Sequence, residues 1–235
     1  MGNAFSVDSK FMQFLDRFSD LLILSVLTII CSVPIVTIGA SVTAMYHVTF
    51  KMANDEDGKV FKPFFKAFKE NFKKSTILWL IALAVMAVAY GDYYIVYQMN
   101  LDFGTTPKQI ITLASGAFVL VALFIGTYIF PLTARFENTL KNTVKNALIL
   151  SVMNIPKTIL LIVINLAPIA IGFISPLLWP PMLLLAFGGS SFVASKIYIK
   201  IFKKVTHEDD EDAEDTVLPT ETDDSAAENR QAVQK

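Results

Sequence analysis

A chain of 235 residues with 54% hydrophobic and only 17% charged side chains, and a mean hydropathy of +0.52, is too apolar for a water-soluble domain, where charged residues make up about a quarter. The formal charge of −1 conceals a segregation: eleven acids between Glu208 and Glu228 are offset only by Arg230 and Lys235, which leaves the chain upstream of that tail at +8. A basic, apolar body excludes an ordinary soluble enzyme and suits a protein whose loops face the anionic headgroups of a cytoplasmic membrane.

Uncharged stretches locate the crossings, because an ionised group at the bilayer centre is costly and the backbone there must bond within a helix. Four such stretches stand out: residues 21–46, 75–91, 110–134 and 158–195. The first predicts one crossing. It contains Val33-Pro34-Ile35-Val36-Thr37-Ile38-Gly39, poor for a straight helix. The alternative is a crossing helix over 11–32 and a return helix after Gly39, with the N-terminus inside. Phe11, Phe14, Leu15 and Phe18 at helical spacing favour that continuation. Asp8, Asp16 and Asp20 offset Lys10 and Arg17, so a cleaved signal peptide is not expected. Cys31 sits in an apolar run as a small packing residue.

Residues 60–74 predict a cytoplasmic helix lying on the membrane. Phe61, Phe65, Phe68 and Phe72 form one stripe for lipid, and Lys62, Lys66, Lys69 and Lys73 a neighbouring one for phosphates or a docking partner. His47 stands at a membrane edge beside Tyr46 and Lys51. The second crossing, 75–91, ends at Asp92 among Tyr90, Tyr93, Tyr94 and Tyr97, an interfacial aromatic belt that keeps the acid wet. The third crossing covers 110–134.

A second cytoplasmic helix is predicted over 135–150, with Phe136, Leu140, Val144 and Leu148 on one stripe and Asn138, Asn142 and Asn146 on another. Around it, Arg135 is a candidate docking residue, and Glu137 and Pro156 stand nineteen residues apart. That spacing resembles the glutamate and proline of the coupling loop in ABC-transporter permeases. The sequence departs from the pattern at Asn138 and Thr139, which replace two alanines, and at Thr143, which replaces a glycine.

The last stretch, 158–195, is 38 residues, roughly two crossings at about 1.5 Å per residue and a hydrocarbon layer of about 30 Å. Ser175-Pro176-Leu177-Leu178-Trp179-Pro180-Pro181 predicts the turn between them, with the final span beginning near Met182. Asn165 is placed mid-span, where an amide bonds a neighbouring helix. Ser190, Ser191, Ala194 and Ser195, following Gly188 and Gly189, give the last span a face of small residues for close packing within the bundle or between protomers. Lysine and arginine cluster over 51–74, 135–157 and 196–204, which places these segments and the C-terminus in the cytoplasm.

Two histidines, one cysteine and the absence of a glycine-rich phosphate loop or a paired His-Glu motif predict no catalytic, cofactor or metal site. No ionisable group lies deep in a span, which disfavours ion-coupled transport. The expected architecture is an all-α polytopic bundle of five spans, or six on the alternative, with cytoplasmic interfacial amphipathic helices. It comprises a transmembrane domain over 1–205 and a disordered acidic cytoplasmic tail over 206–235.

The run Ser32-Val33-Pro34-Ile35-Val36-Thr37-Ile38-Gly39-Ala40-Ser41-Val42-Thr43-Ala44-Met45-Tyr46, followed by Phe64-Phe65-Lys66-Ala67-Phe68-Lys69-Glu70-Asn71-Phe72, resembles the YesL-like family of Gram-positive bacterial membrane proteins. A third segment, 142–160, with Lys145-Asn146-Ala147 and Asn154-Ile155-Pro156-Lys157, is similar to the same family. The resemblance covers most of residues 10–200 and leaves out the acidic tail. It implies no established activity; genes of the family commonly lie beside those for ABC sugar uptake and glycan breakdown. The resulting expectation is a non-enzymatic accessory component of carbohydrate uptake or its regulation. Its expected partners are lipid, ABC transporter subunits or a sensor kinase, and a second copy of itself, with no nucleic acid. A self-sufficient permease and a structural or lipid-organising protein are the alternatives.

Overall fold

The computed structural model describes residues 4–56, 59–97, 105–174 and 179–214. Among them every regular element is helical: α1 (Ala4–Ser32), a single 3-10 turn (Ile35–Thr37), α2 (Ile38–Ala53), α3 (Phe61–Tyr97), α4 (Thr105–Arg135), α5 (Leu140–Met153), α6 (Ile155–Ile174) and α7 (Trp179–Glu214). The all-helical class follows the sequence. Phe61–Val96 and Lys108–Arg135 are each long and apolar enough to cross a membrane, and the bent pair Leu140–Met153 and Ile155–Ala167 adds a third if taken as one span. The five expected crossings are therefore not reached among the described residues. The chain falls into two compact units, Met1–Ile197 and Tyr198–Lys235.

The first uncharged stretch does not form one helix, which corrects the single crossing expected over 21–46. Pro34 disfavours helical backbone at Val33 and lacks the N–H that would continue the ladder, so α1 stops at Ser32. The Thr37 hydroxyl then donates to the carbonyl of Cys31 at 2.6 Å and to that of Pro34 at 2.7 Å, giving partners to acceptors that a helix end leaves open. At the far end, Arg17 forms an ion pair with Asp55. The two helices thus meet at the turn and again where Arg17, midway along α1, reaches the end of α2, and they form an antiparallel hairpin.

α2 is the most enclosed helix of the first unit. Gly39, Ala40, Ser41, Thr43, Ala44, Met45, Tyr46, Val48, Thr49 and Phe50 are all buried, and so many small side chains let neighbours approach closely. A Cβ on Gly39 would lie 2.7 Å from that of Trp79 and 3.2 Å from the Phe130 ring. α2 ends in a Schellman motif: Glu56 N–H donates to Lys51 at 3.0 Å and Asp55 N–H to Met52 at 3.3 Å. Asp55 takes the left-handed position, φ 56°, that glycine more often fills.

α3 runs unbroken from the lysine-rich segment into the second uncharged stretch, so residues 60–74 are not the separate surface helix that was expected. Pro63 is tolerated because it falls in the first turn, where an N–H has no partner in any case. The buried line along this segment is Val60, Phe64, Ala67, Ser75 and Leu78, while Phe61, Phe65 and Phe72 are exposed. The expected aromatic stripe is therefore the flank, and the contact face lies one residue away.

α4 ends at Arg135, and α5 starts only at Leu140, later than the expected 135. Thr139 caps it, its hydroxyl accepting from the N–H of Asn142 at 3.4 Å. α5 buries Thr143, Ala147, Leu150 and Ser151, again one position off the expected stripe, and Leu148 is exposed. The chain then bends by 106° into α6. Pro156 sits in the first turn of α6, and Asn154 accepts from the Thr158 N–H at 2.8 Å across the elbow.

The expected turn at 175–181 falls partly outside the described residues, and α7 begins at Trp179 rather than Met182. In the second unit Tyr198 and Phe202 are buried and stack at 5.9 Å between centroids. α7 continues through 206–214; the remainder of the acidic tail lies outside the described residues.

Candidate functional site

The side chains most closely organised in the first unit are small hydroxyls, an amide and an imidazole fanned around α2. At about 100° per residue, positions 43 and 47 share one side of α2 while 46 and 49 turn away from it, and each of the four finds a partner on a different helix. Thr43 shares a hydrogen bond of 2.8 Å with Ser75 on α3. The Tyr46 hydroxyl donates to Asn165 Oδ1 on α6 at 3.0 Å. His47 Nδ1 lies 3.2 Å from the Ala134 carbonyl on α4, a partner that only an N–H can serve. Thr49 and Ser195 on α7 are 2.7 Å apart. Buried polar groups need such partners, and Thr76 Oγ1 beside this belt is buried without one.

Asn165 fills its remaining capacity by donating through Nδ2 to Leu161 at 2.9 Å. Two further bonds extend the pattern. Tyr128 and Thr158 meet at 3.1 Å, and Thr158 also donates to Ser151 at 3.0 Å, tying the α5–α6 elbow to α4. Ser25 receives the Gly188 N–H at 2.8 Å. A Cβ on Gly188 would collide with the Leu21 carbonyl, so α1 and α7 touch backbone to backbone. The belt contains neither carboxylate nor ammonium. Its chemistry is that of neutral hydrogen bonding, suited to locking helices or holding an uncharged polar group.

Of the residues singled out for packing, Asn165 joins this belt, and Ser191, Ala194 and Ser195 are buried on α7. Ser190 is half-buried with a long 3.4 Å bond to its own helix at Phe187. The buried positions on this face are thus Gly188, Ser191, Ala194 and Ser195, with Ser190 at its margin. Of the docking candidates, Lys62, Lys66, Lys69 and Lys73 are exposed along α3, and Lys66 pairs loosely with Glu70 at 3.9 Å. Arg135 is exposed at the end of α4, its guanidinium 6.0 Å from the Phe50 ring centre and 5.9 Å from that of Phe136. Glu137 and Pro156 are exposed at opposite ends of α5, and Glu137 acts electrostatically on Lys74 of α3. α5 therefore separates the two residues of the coupling-loop spacing.

Asp92, expected to be wet, is half-buried and accepts from the Ser115 hydroxyl of α4 at 2.8 Å. Thr43, Tyr46, Thr49, Ser75, Tyr128 and Thr158 were not anticipated as a set. The available signal was hydroxyls recurring inside uncharged runs. Among the described residues no group of three metal-ligating side chains comes together.

Comparison with known proteins adds a family and no activity. Residues 21–93 match the family model described as "Protein of unknown function, DUF624". The chain is 25% identical over 165 residues to "Uncharacterized protein YesL" of Bacillus subtilis (strain 168), covering 69% of this chain and 73% of that protein. No solved structure matches. The family match covers α2, with the Thr43 and Ser75 pair, and the lysine face of α3. With the resemblance already read in the motifs, these two matches support a likeness to the YesL-like proteins, whose function is unknown.

Proposed function

We propose that this chain is a non-catalytic accessory component of ABC-type carbohydrate uptake, or of its regulation, in a bacterial cytoplasmic membrane. The observation that carries the reading is the exposed ridge of Lys62, Lys66, Lys69 and Lys73, backed by the buried line of Phe64 and Ala67. Packing fixes the ridge in place while leaving its ammonium groups exposed to an acidic surface, Lys66 already pairing loosely with Glu70. The distribution of lysine and arginine favours a cytoplasmic position for this ridge, the α5 elbow and the C-terminus, where an ATPase subunit or a sensor kinase would be reached. α5, with Glu137 before it and Pro156 after it, is the second element offered there.

The test is affinity purification of the tagged full-length protein from its native host after mild cross-linking. Uptake subunits or a kinase should be recovered, and reversing all four lysines to glutamate should lower that recovery by about tenfold or more. Equal recovery from the wild type and the reversed protein would remove the ridge as a docking surface.

The belt around α2 supports one other reading, a permease for a small neutral solute. Sugar accumulating in proteoliposomes that contain this protein alone would favour it over the accessory role. If neither partners nor accumulation are found, a structural or lipid-organising role remains.

A further inference from the structure

α3 and α4 each carry a depth marker. The last cytoplasmic charge before the uncharged run is Lys74 on α3 and Arg135 on α4. The α1–α2 turn meets α3 at Trp79, whose Nε1–H donates to the Ile35 carbonyl at 2.8 Å. It approaches α4 at Phe130, close to Gly39. Both contact points lie about 7.5 Å along their helices from those charges. Beyond them α3 continues to Tyr97, about 27 Å further, and α4 extends back to Thr105, about 37 Å. Two independent helices thus place the turn at the same shallow depth.

The turn itself is built for an apolar setting. Val33 is 76% and Ile35 65% exposed, with Ile30 and Val36 beside them, and no charge interrupts the cluster. Its backbone is nonetheless furnished with protein partners: Trp79 to Ile35, Thr37 to Cys31 and Pro34, and the Thr37 N–H to Pro34 at 2.9 Å. Irregular backbone at membrane depth requires such partners. At the opposite end of α2, the ion pair of Asp55 with Arg17, midway along α1, ties the two helices together before the lysine ridge.

We propose that α1 and α2 form a re-entrant hairpin that enters from the cytoplasmic face, buries Ile30, Val33, Ile35 and Val36 among the acyl chains of the inner leaflet, and turns back before the outer face. The first uncharged stretch is then not a crossing, and the N-terminus lies on the same side as Asp55. This placement does not depend on the uptake role.

The experiment uses the full-length protein in sealed right-side-out and inverted vesicles, with Cys31→Ser and single cysteines at Val33, Val36, Glu56 or Tyr94. A membrane-impermeant, charged maleimide should label E56C from one face only and Y94C from the other only. V33C and V36C should react at least about tenfold more slowly than either, from both faces, because hydrocarbon excludes a charged reagent. A nitroxide at V33C should be relaxed by oxygen dissolved in the bilayer and not by a water-soluble nickel chelate. Labelling of V33C or V36C from the Y94C face would show a complete crossing. Labelling as fast as E56C would put the tip in water. Either overturns the proposal, as does finding E56C and Y94C on one face. V36C carries the same test if V33C fails to accumulate.

Discussion

The two ends of the α3–α4 pair are built differently. At the inner end, the one that carries Lys74 and Arg135, Phe64, Ala67, Ser75 and Leu78 of α3 and Tyr128, Ile129, Leu132, Thr133 and Ala134 of α4 are buried against protein. At the outer end, the one that carries Tyr94 and Ile110, no residue of α3 from 79 to 95 and none of α4 from 110 to 127 is buried. Leu80, Ile81, Met86, Leu113, Phe118 and Leu120 stand out as large apolar side chains with open surroundings. The inner end is held by interlocking side chains and hydroxyl bonds. The outer end is held by the solvent it faces, which for such a surface is lipid, with Asp92 and Ser115 as its polar tie.

If the contrast is right, truncating a side chain should cost stability at the inner end and little at the outer. The largest effect is expected for Phe64→Ala, a fully enclosed ring, at about 3–5 kcal/mol, read by denaturant titration in mixed micelles. Phe65→Ala, one residue away and exposed, should cost less than about 1 kcal/mol. A loss at Phe65 equal to that at Phe64 would erase the distinction between contact face and flank. Next comes Gly39→Val, which forces atoms into Trp79 and Phe130. About 1–3 kcal/mol of destabilisation is expected, seen as a lower midpoint of thermal aggregation in detergent.

Thr43→Val and Ser75→Ala should each cost about 0.6 kcal/mol, the average for a hydrogen bond between membrane helices. Combined, they should be less than additive, and a double-mutant cycle measures the coupling directly; strict additivity would mean that the 2.8 Å pair contributes nothing. The smallest effect belongs to Leu113→Ala at the outer end, within about 0.5 kcal/mol of wild type. A shift of several degrees in its melting temperature would show that the outer end packs against protein after all, such as a second copy of the chain.

Much of this was legible in the residues. The apolar composition predicted helices in lipid, the Val33 to Gly39 run marked a break, and the motif at 32–46 carried the family resemblance. What escaped detection did so for physical reasons. In the segment from Phe61 to Phe72, aromatic rings occupy two adjacent faces, so a 3.6-residue period fits both, and only contact with α2 decides that Phe64 turns inward. The same one-step ambiguity displaced the buried line of α5 from Val144 and Leu148 to Thr143 and Ala147. Ser and Thr hardly alter the hydropathy of an uncharged run, so Thr43, Thr49, Ser75 and Ser195 give no sign that they pair. Charge counting treated 21–46 as one crossing because it registers the lack of charge and not the proline at its centre.

The continuity of α3 has a mechanical consequence. At 37 residues it is a rod of about 55 Å, with the lysine ridge on one arm, Trp79 against the hairpin turn, and Asp92 near the far end of the other. With no joint between the arms, a load on the ridge tilts the whole lever about its contacts with α2 and the turn. Whatever binds the lysine arm therefore acts on the same continuous helix that carries Asp92 at its other end.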